Sequence, residues 1–207
     1  FGRERIMGTN PVCFGVPSAG KTHFMVDMAT TVVAHGKVEV YERRDKPMPL
    51  GWAVDENGLD TTDTHHFQTL FRSDQPHGGH LFLGGAGEEL GGHKGFGLGL
   101  FVELLCAGMS MGKWSRDSFG PEGAGLSCFF GAIRTDLFGD PKAIAEHVAW
   151  ILSGVRDSAK AEGHDRIYIH GEKEAEAREK AMVDGVSLDE ATWTMLRDYG
   201  TRFGLEL

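Results

Sequence analysis

The stretch that most constrains the fold is glycine-rich and lies near the middle of the chain, at residues 91–100, with the sequence GGHKGFGLGL. A short apolar segment at 81–83 and a glycine-rich loop precede it, and an apolar run follows it, so the order predicts strand, loop and helix. Apolar residues at three- and four-residue spacing predict a helix from about Gly95 to Met111, in which only Glu103 is charged. We therefore expect a helix that is buried on nearly all sides.

The glycines at the start of this helix allow two interpretations. Gly95, Gly97 and Gly99 each cost roughly 0.5–1 kcal/mol relative to alanine, which implies that something approaches the helix backbone closely. The free N–H groups of the first turn, the helix dipole and Lys94 all favour an anion such as a phosphate or carboxylate. The alternative is close packing against a neighbouring helix or strand, and the residues alone do not decide between the two.

Composition limits the class of protein. The chain has 207 residues, of which 41% are hydrophobic, enough for a sizeable core. The 30 acidic and 21 basic residues give a net charge of −9, which argues against a nucleic-acid partner. No apolar run approaches the length of a membrane span, and the three cysteines lack the spacing of a disulfide framework, so we expect a cytoplasmic protein without a membrane partner.

A second glycine motif, GVPSAGKT at residues 15–22, matches the phosphate-loop pattern of nucleotide hydrolases. That loop requires a helix beginning at the lysine and a later strand ending in an Asp that holds magnesium. The residues after Lys21 alternate as a strand does, and no later strand ends in a suitable Asp. We therefore expect a hairpin here, and a phosphate-loop hydrolase remains a remote alternative.

The histidines at 65, 66, 77, 80 and 93 have no regular ligand spacing and no cysteine partner, so no metal site is expected.

Local patterns predict several other elements. After a strand at 24–28, Thr30 or Thr31 is expected to cap a short helix that Gly36 stops. Residues 126–133 and 166–169 are expected to be buried strands, Asp140 and Pro141 to open an amphipathic helix, and Ser187 to cap the last helix.

Five blocks, in this order, resemble the malate/L-lactate dehydrogenase family, which also includes ureidoglycolate dehydrogenase, sulfolactate dehydrogenase and diketogulonate reductase. They span nearly the whole chain. The first is Gly8-Thr9-Asn10-Pro11; the second is Asp27-Met28-Ala29-Thr30-Thr31; the third joins Trp52-Ala53-Val54-Asp55, Gly58 and Thr61-Thr62-Asp63; the fourth is His93-Lys94-Gly95-Phe96-Gly97-Leu98; and the fifth is Gly171-Glu172-Lys173. The resemblance implies an α/β fold, a three-layer α/β/α sandwich with a mixed sheet and no Rossmann motif, and a homodimer. Residues 1–170 would be part of the NAD(P)-binding domain, and 171–207 a helical segment packed on an N-terminal helical domain.

The same resemblance implies an NAD(P)-dependent enzyme that transfers hydride between nicotinamide and C2 of a small 2-hydroxy or 2-oxo acid, malate or lactate. It assigns cofactor binding to Asp27, Met28, Ala29, Lys94, Gly171, Glu172 and Lys173, which favours the anion interpretation of residues 91–100. The family's proton-transferring histidine and its substrate-binding histidine and arginine would lie before this chain begins, so no catalytic residue is expected within it. The alternative is a catalytically incomplete fragment or cofactor-binding subunit, and the sequence does not separate NAD from NADP.

Overall fold

The computed structural model describes residues 2–121 and 123–205, which divide into two units. Unit 1 comprises Phe1–Gly15 and Met25–Leu137, and unit 2 comprises Val16–Phe24 and Phe138–Leu207. Within the described residues, six α-helices accompany three pairs of short strands.

The strands pair in chain order, the first with the second, the third with the fourth and the fifth with the sixth. They are β1 Val12–Val16, β2 Phe24–Met28, β3 Ala53–Val54, β4 Gly79–His80, β5 Phe119–Gly120 and β6 Gly123–Ala124. The β3–β4 and β5–β6 pairs are antiparallel, with Ala53 opposite His80 and Phe119 opposite Ala124. The helices are α1 His35–Arg43, α2 Thr64–Arg72, α3 Gly92–Glu103, α4 Pro141–Asp157, α5 Glu172–Asp184 and α6 Glu190–Phe203.

The hydrophobic core of unit 1 lies where α1 and α2 pack beside β3. Its buried members are Val33, Val38, Met48, Ala53 and Phe67, with Tyr41, Trp52 and Phe71 packed around them. The Asp63 carboxylate caps α2 by accepting the His66 backbone N–H at 2.9 Å, which satisfies one of the free donors of the first turn.

The glycine motif at residues 15–22 forms the bend between β1 and β2, as the hairpin interpretation predicted. Ser18 closes the bend by accepting the backbone N–H of Gly20 at 3.1 Å. Residues 17–23 contain no helix, and the chain after Lys21 enters β2 directly. The phosphate-loop alternative is therefore wrong, because that loop needs a helix N-terminus to face the phosphates.

The central helix differs from the prediction in its burial. It begins at Gly92 and continues into a π-helical turn, Leu104–Gly108. Its buried face consists of small residues and Glu103, whereas large side chains such as Phe101 and Leu104 are each 56% exposed. The expectation of burial on nearly all sides is therefore wrong, because it counted apolar residues and took no account of which of them pack.

Several local predictions also need correction. Residues 126–133 and 166–169 form no strand, and α1 begins at His35 and includes Gly36, which does not stop it. The last helix is capped by Asp189, which accepts the Thr192 N–H, and not by Ser187. The start of α4 at Pro141, with Asp140 as its cap, is confirmed.

Among the helices of the described residues, none combines the length and hydropathy that a bilayer crossing requires.

Candidate functional site

No side chain satisfies the backbone donors in the first turn of α3, although Gly92 itself is buried and a Cβ there would overlap the Gly85 carbonyl oxygen. Gly91 caps this helix in a left-handed conformation, with φ +88°. The backbone N–H groups of Gly92 and His93 therefore have no intrahelical partner. The side chain of Lys94 is exposed and makes no hydrogen bond or ion pair with residues 2–121 or 123–205. The positive charge of Lys94 and the positive end of the helix dipole both attract an anion.

The glycines that follow serve two different purposes. A Cβ at Gly95 would overlap the backbone of Leu83, and a Cβ at Gly99 would overlap the ring of Phe82. At Gly97, by contrast, an added Cβ would meet no atom within 4 Å. The packing interpretation therefore holds for Gly95 and Gly99, whereas Gly97 leaves the helix backbone accessible to a ligand.

Asp27, Met28 and Ala29 lie where β2 ends, as predicted. Asp27 is exposed, and Met28 and Ala29 are half-buried. Thr30 follows them and is fully buried. Its backbone N–H and its hydroxyl both donate to the carbonyl oxygen of Thr9 at 2.9 Å. Thr30 thus ties the strand end to the Gly-Thr-Asn-Pro block, and does not cap a helix as the sequence had predicted.

Thr30 also connects the strand end to the central helix. Its carbonyl oxygen accepts the Leu83 N–H at 3.0 Å, and an added Cβ on Gly99 would lie 3.0 Å from its hydroxyl. The residue therefore contacts three of the segments that surround the α3 N-terminus. Within the described residues, no hydrogen bond or ion pair joins Asp27 directly to Lys94.

Glu103 anchors the far end of α3. It is buried, and its carboxylate accepts the Asn10 amide at 2.8 Å, the Ser115 N–H at 2.7 Å and the Ser115 hydroxyl. Burial alone would raise the pKa of Glu103, but these donors outweigh it and hold the pKa below its usual value. The single charged residue of the predicted helix was thus a signal of a buried network, one that the sequence analysis did not use.

Glu172, in unit 2, has a structural role. It is buried, and its carboxylate accepts from Arg156 at 2.5 Å, from Arg166 at 3.5 Å and from the Ile169 N–H at 3.0 Å. Burial alone would raise the pKa of Glu172, yet the Ile169 N–H and the two arginines hold it below its usual value. The carboxylate is committed to these donors, so we expect this segment to reach a ligand through other groups.

The Glu172 N–H is also engaged, since it donates to the Ile169 carbonyl oxygen at 3.0 Å. The N–H groups of Lys173 and Glu174, at the start of α5, and the side chain of Lys173 remain for a ligand. Gly171 caps the helix with φ +97°. The Lys173 ammonium lies 4.6 Å from the centre of the Tyr168 ring, which holds the side chain beside the helix start. Gly171, Glu172 and Lys173 belong to unit 2, whereas Asp27, Met28, Ala29 and Lys94 belong to unit 1.

A cavity of about 760 Å³ lies within unit 1 and includes the start of α3. Gly92 and His93 line it, as does Thr9. Its wall combines aromatic rings, from Phe71, Phe82 and Phe96, with charged and polar side chains such as Arg5 and His80. A cavity of this volume, with both apolar and polar groups in its wall, has the size of a site for a small organic ligand.

Two of the histidines considered as metal ligands are paired with carboxylates. His65 contacts Asp45 and His66 contacts Glu56, each at 2.8 Å. In residues 2–121 and 123–205, no three His, Cys, Asp or Glu side chains are grouped in a way that could hold a metal ion.

Comparison with known proteins places this site in context. Residues 1–197 match the profile of the malate/L-lactate dehydrogenase family. The chain belongs to this family. Malate dehydrogenase of Pyrococcus horikoshii is 36% identical over 207 residues, which cover 99% of this chain and 55% of that protein. The chain thus spans about half the length of the curated relatives it matches.

Solved structures agree with this assignment. Malate dehydrogenase from Entamoeba histolytica matches with a TM-score of 0.93 and 30% identity, over 100% of this chain and 58% of that one. Sulfolactate dehydrogenase from Methanocaldococcus jannaschii matches with a TM-score of 0.75 and 28% identity, over 99% of this chain and 54% of that one. The predicted α/β fold of the sulfolactate-dehydrogenase type is confirmed.

Proposed function

We propose that the protein is an NAD(P)-dependent oxidoreductase that transfers hydride between nicotinamide and C2 of a small 2-hydroxy or 2-oxo acid, of the malate or lactate type. The observation that carries this proposal is the first turn of α3, which no side chain caps, with its exposed Lys94, in a chain of the malate/L-lactate dehydrogenase family. The cofactor, when bound, supplies or accepts the hydride. The residues of this chain bind and orient it.

The donor set of unit 1 fits a nicotinamide dinucleotide. Lys94 and the first-turn N–H groups suit a phosphate. The open backbone at Gly97 leaves room for a ligand to approach, and the exposed carboxylate of Asp27 is suited to accept from a ribose hydroxyl. Met28 and Ala29 follow Asp27 at the end of β2 in unit 1. In unit 2, Gly171 and Glu172 precede Lys173 at the start of α5, which is a second helix N-terminus. Both NAD and NADP fit this set.

The proton-transferring histidine, and the histidine and arginine that the family uses to bind substrate, are proposed to lie in the part of the protein beyond this chain. The length comparison supports this proposal, since the chain matches 55% of the Pyrococcus horikoshii enzyme. A cofactor-binding portion without turnover is the corresponding alternative for the chain by itself.

We further propose that the segment 171–207 packs on a helical part of the protein beyond this chain, as expected from the sequence. Its apolar side chains support this, since Met195, Tyr199 and Phe203 on α6 are all exposed. A boundary after residue 170, which ends the proposed NAD(P)-binding part, would fall just ahead of α5.

A cytoplasmic homodimer is the proposed state. The exposed apolar side chains of Phe101, Leu104 and Phe130 support an association surface, and three free cysteines suit a reducing compartment. Sedimentation at several concentrations, under reducing conditions, tests the dimer.

Titration with NADH and NADPH, followed by nicotinamide fluorescence, tests the cofactor assignment. Lys94→Ala should weaken binding roughly tenfold, because a charge-assisted contact to phosphate is lost. Lys46→Ala is the matched control, since this lysine is also exposed in unit 1 but lies in the connection between α1 and α2, where its backbone bonds Tyr41 and Thr64. Equal binding by the two variants, or no binding of either nucleotide, would overturn the assignment.

A further inference from the structure

One wall of the unit 1 cavity carries a cluster of four side chains, here called the Arg5 cluster: Arg5, His35, Phe71 and His80. All four line the cavity. The Arg5 guanidinium lies 4.9 Å from the centre of the Phe71 ring, and the His35 ring stacks on Phe71 with centres 3.8 Å apart. His35 Nδ1 and His80 Nε2 share a hydrogen bond of 3.0 Å.

The positive charge of Arg5 has no acidic partner in the described part of the chain. Its Nη2 donates to the carbonyl oxygens of Ser73 and Gln75, and no carboxylate of residues 2–121 or 123–205 lies within ion-pair distance. Burial lowers the pKa of the Arg5 guanidinium. A partly desolvated guanidinium that keeps unused N–H donors is suited to receive an anion from solution.

The imidazole rings of His35 and His80 add no positive charge to the cluster. Burial, together with the neighbouring His35 and Arg5, lowers the pKa of His80 to about 4. Burial also lowers the pKa of His35, partly against the attraction of Glu39 on α1. Both rings are therefore neutral at physiological pH, and Arg5 supplies the positive charge of the cluster.

We propose that the Arg5 cluster is a binding site for the carboxylate of a small organic acid. The carboxylate pairs with the Arg5 guanidinium, in the side-by-side geometry that arginine favours, and the carbon skeleton lies against Phe71 and the neutral His35 ring. The identity of the acid rests on the proposed function, while the anion site itself rests on the geometry of these four side chains.

Histidine side-chain NMR on the 207-residue chain tests the site, with malate, lactate and inorganic phosphate as separate probes. Malate or lactate should shift the His35 and His80 signals in a saturable manner. Arg5→Gln should weaken this binding roughly tenfold or more. Arg44→Gln is the matched control, because Arg44 carries the same charge, is exposed in unit 1 and is not among the residues that line the cavity; it should change the affinity by less than about twofold.

A conservative variant of Arg5 distinguishes loss of binding from loss of folding. Arg5→Lys keeps the charge without the planar fork, so it should retain the unbound histidine spectrum and bind the acid more weakly than wild type. Equal affinity of Arg5→Gln and wild type, or no histidine shift with any of the probes, would overturn the proposal. Tighter binding of phosphate than of either acid would overturn its assignment to a carboxylate.

NADH fluorescence on the same samples separates this inference from the proposed function. Cofactor binding without any acid-induced histidine shift would refute the Arg5 site and leave the oxidoreductase proposal intact. Acid binding at Arg5 without nucleotide binding would refute the oxidoreductase proposal and leave the Arg5 site intact.

Discussion

Alanine substitutions at Gly95 and Gly97 should have opposite effects on stability, although the two residues are only two positions apart in α3. Replacing a helical glycine by alanine in open space stabilises by roughly 0.5–1 kcal/mol, and the site at Gly97 is open. At Gly95 the new methyl group would overlap the backbone of Leu83, and backbone atoms cannot rotate away as a side chain can. Overpacking of this kind costs about 1–3 kcal/mol.

A further loss arises at Gly95 because the displaced segment at Leu83 is itself hydrogen-bonded. The Leu83 N–H donates to the Thr30 carbonyl at 3.0 Å, and distorting that bond costs about 1 kcal/mol. We therefore expect Gly95→Ala to be destabilised by about 1–3 kcal/mol after its helix-propensity gain is included. In a chain of this size 1 kcal/mol shifts Tm by roughly 2–4 °C.

Thermal unfolding monitored by circular dichroism measures both effects. Gly97→Ala should melt about 1–4 °C above wild type, and Gly95→Ala several degrees below it. Equal melting temperatures for the two variants would refute the assignment of Gly95 to packing. A nucleotide titration on Gly97→Ala adds a second reading, because weaker NADH binding at unchanged or raised Tm would indicate that the cofactor covers this position.

Three other changes are expected to have measurable effects. Thr30→Val should lower the stability by about 1–2 kcal/mol in urea denaturation, since it removes a buried hydroxyl that donates to a carbonyl; an unchanged midpoint would contradict this role. Glu172→Gln should lower Tm at neutral pH, because the folded-state pKa of Glu172 is depressed. The difference in Tm from wild type should be full above pH 4.5 and should disappear as the pH falls through that folded-state pKa. The hydrogen bond to Glu56 raises the pKa of His66. The stability that protonated His66 contributes should therefore be full below pH 6.5 and lost as the pH rises through the folded pKa. Comparing the Tm of wild type and His66→Gln across that range would detect this loss.

Turn and cap chemistry could be predicted from the sequence because it depends on neighbouring residues. The hairpin at residues 15–22 and the start of α4 at Pro141 both follow from local signals and both are confirmed. The cap of α6 was placed two residues too early because Ser187 and Asp189 are both good caps, and the structure uses the second.

Strands and burial could not be predicted as well, because they depend on partners far away in sequence. Residues 126–133 have a strand-like composition, but a strand forms only where another strand pairs with it. For α3, the apolar count was correct, yet Gly95 and Gly99 make the close contacts while Phe101 stays exposed.

The candidate site was predictable only where it follows a local pattern. The glycines and Lys94 at the start of α3 stand out in any reading of the sequence. The contact between His35 and His80 does not, since 45 positions separate them and neither has a distinctive neighbour. The role of Thr30 was missed because the same residue type suits a helix cap equally well.

The apolar segment at residues 126–133 affects the handling of the purified chain. Within the described residues its backbone N–H and C=O groups take no part in a ladder, and Phe129, Phe130 and Ile133 are exposed beside them. We expect unpaired backbone beside exposed apolar side chains to favour association between copies of the chain, and Cys128 within the segment is also exposed. Low protein concentration and a reducing agent should therefore keep preparations clear, and a charged residue in place of Phe130 should lengthen their shelf life.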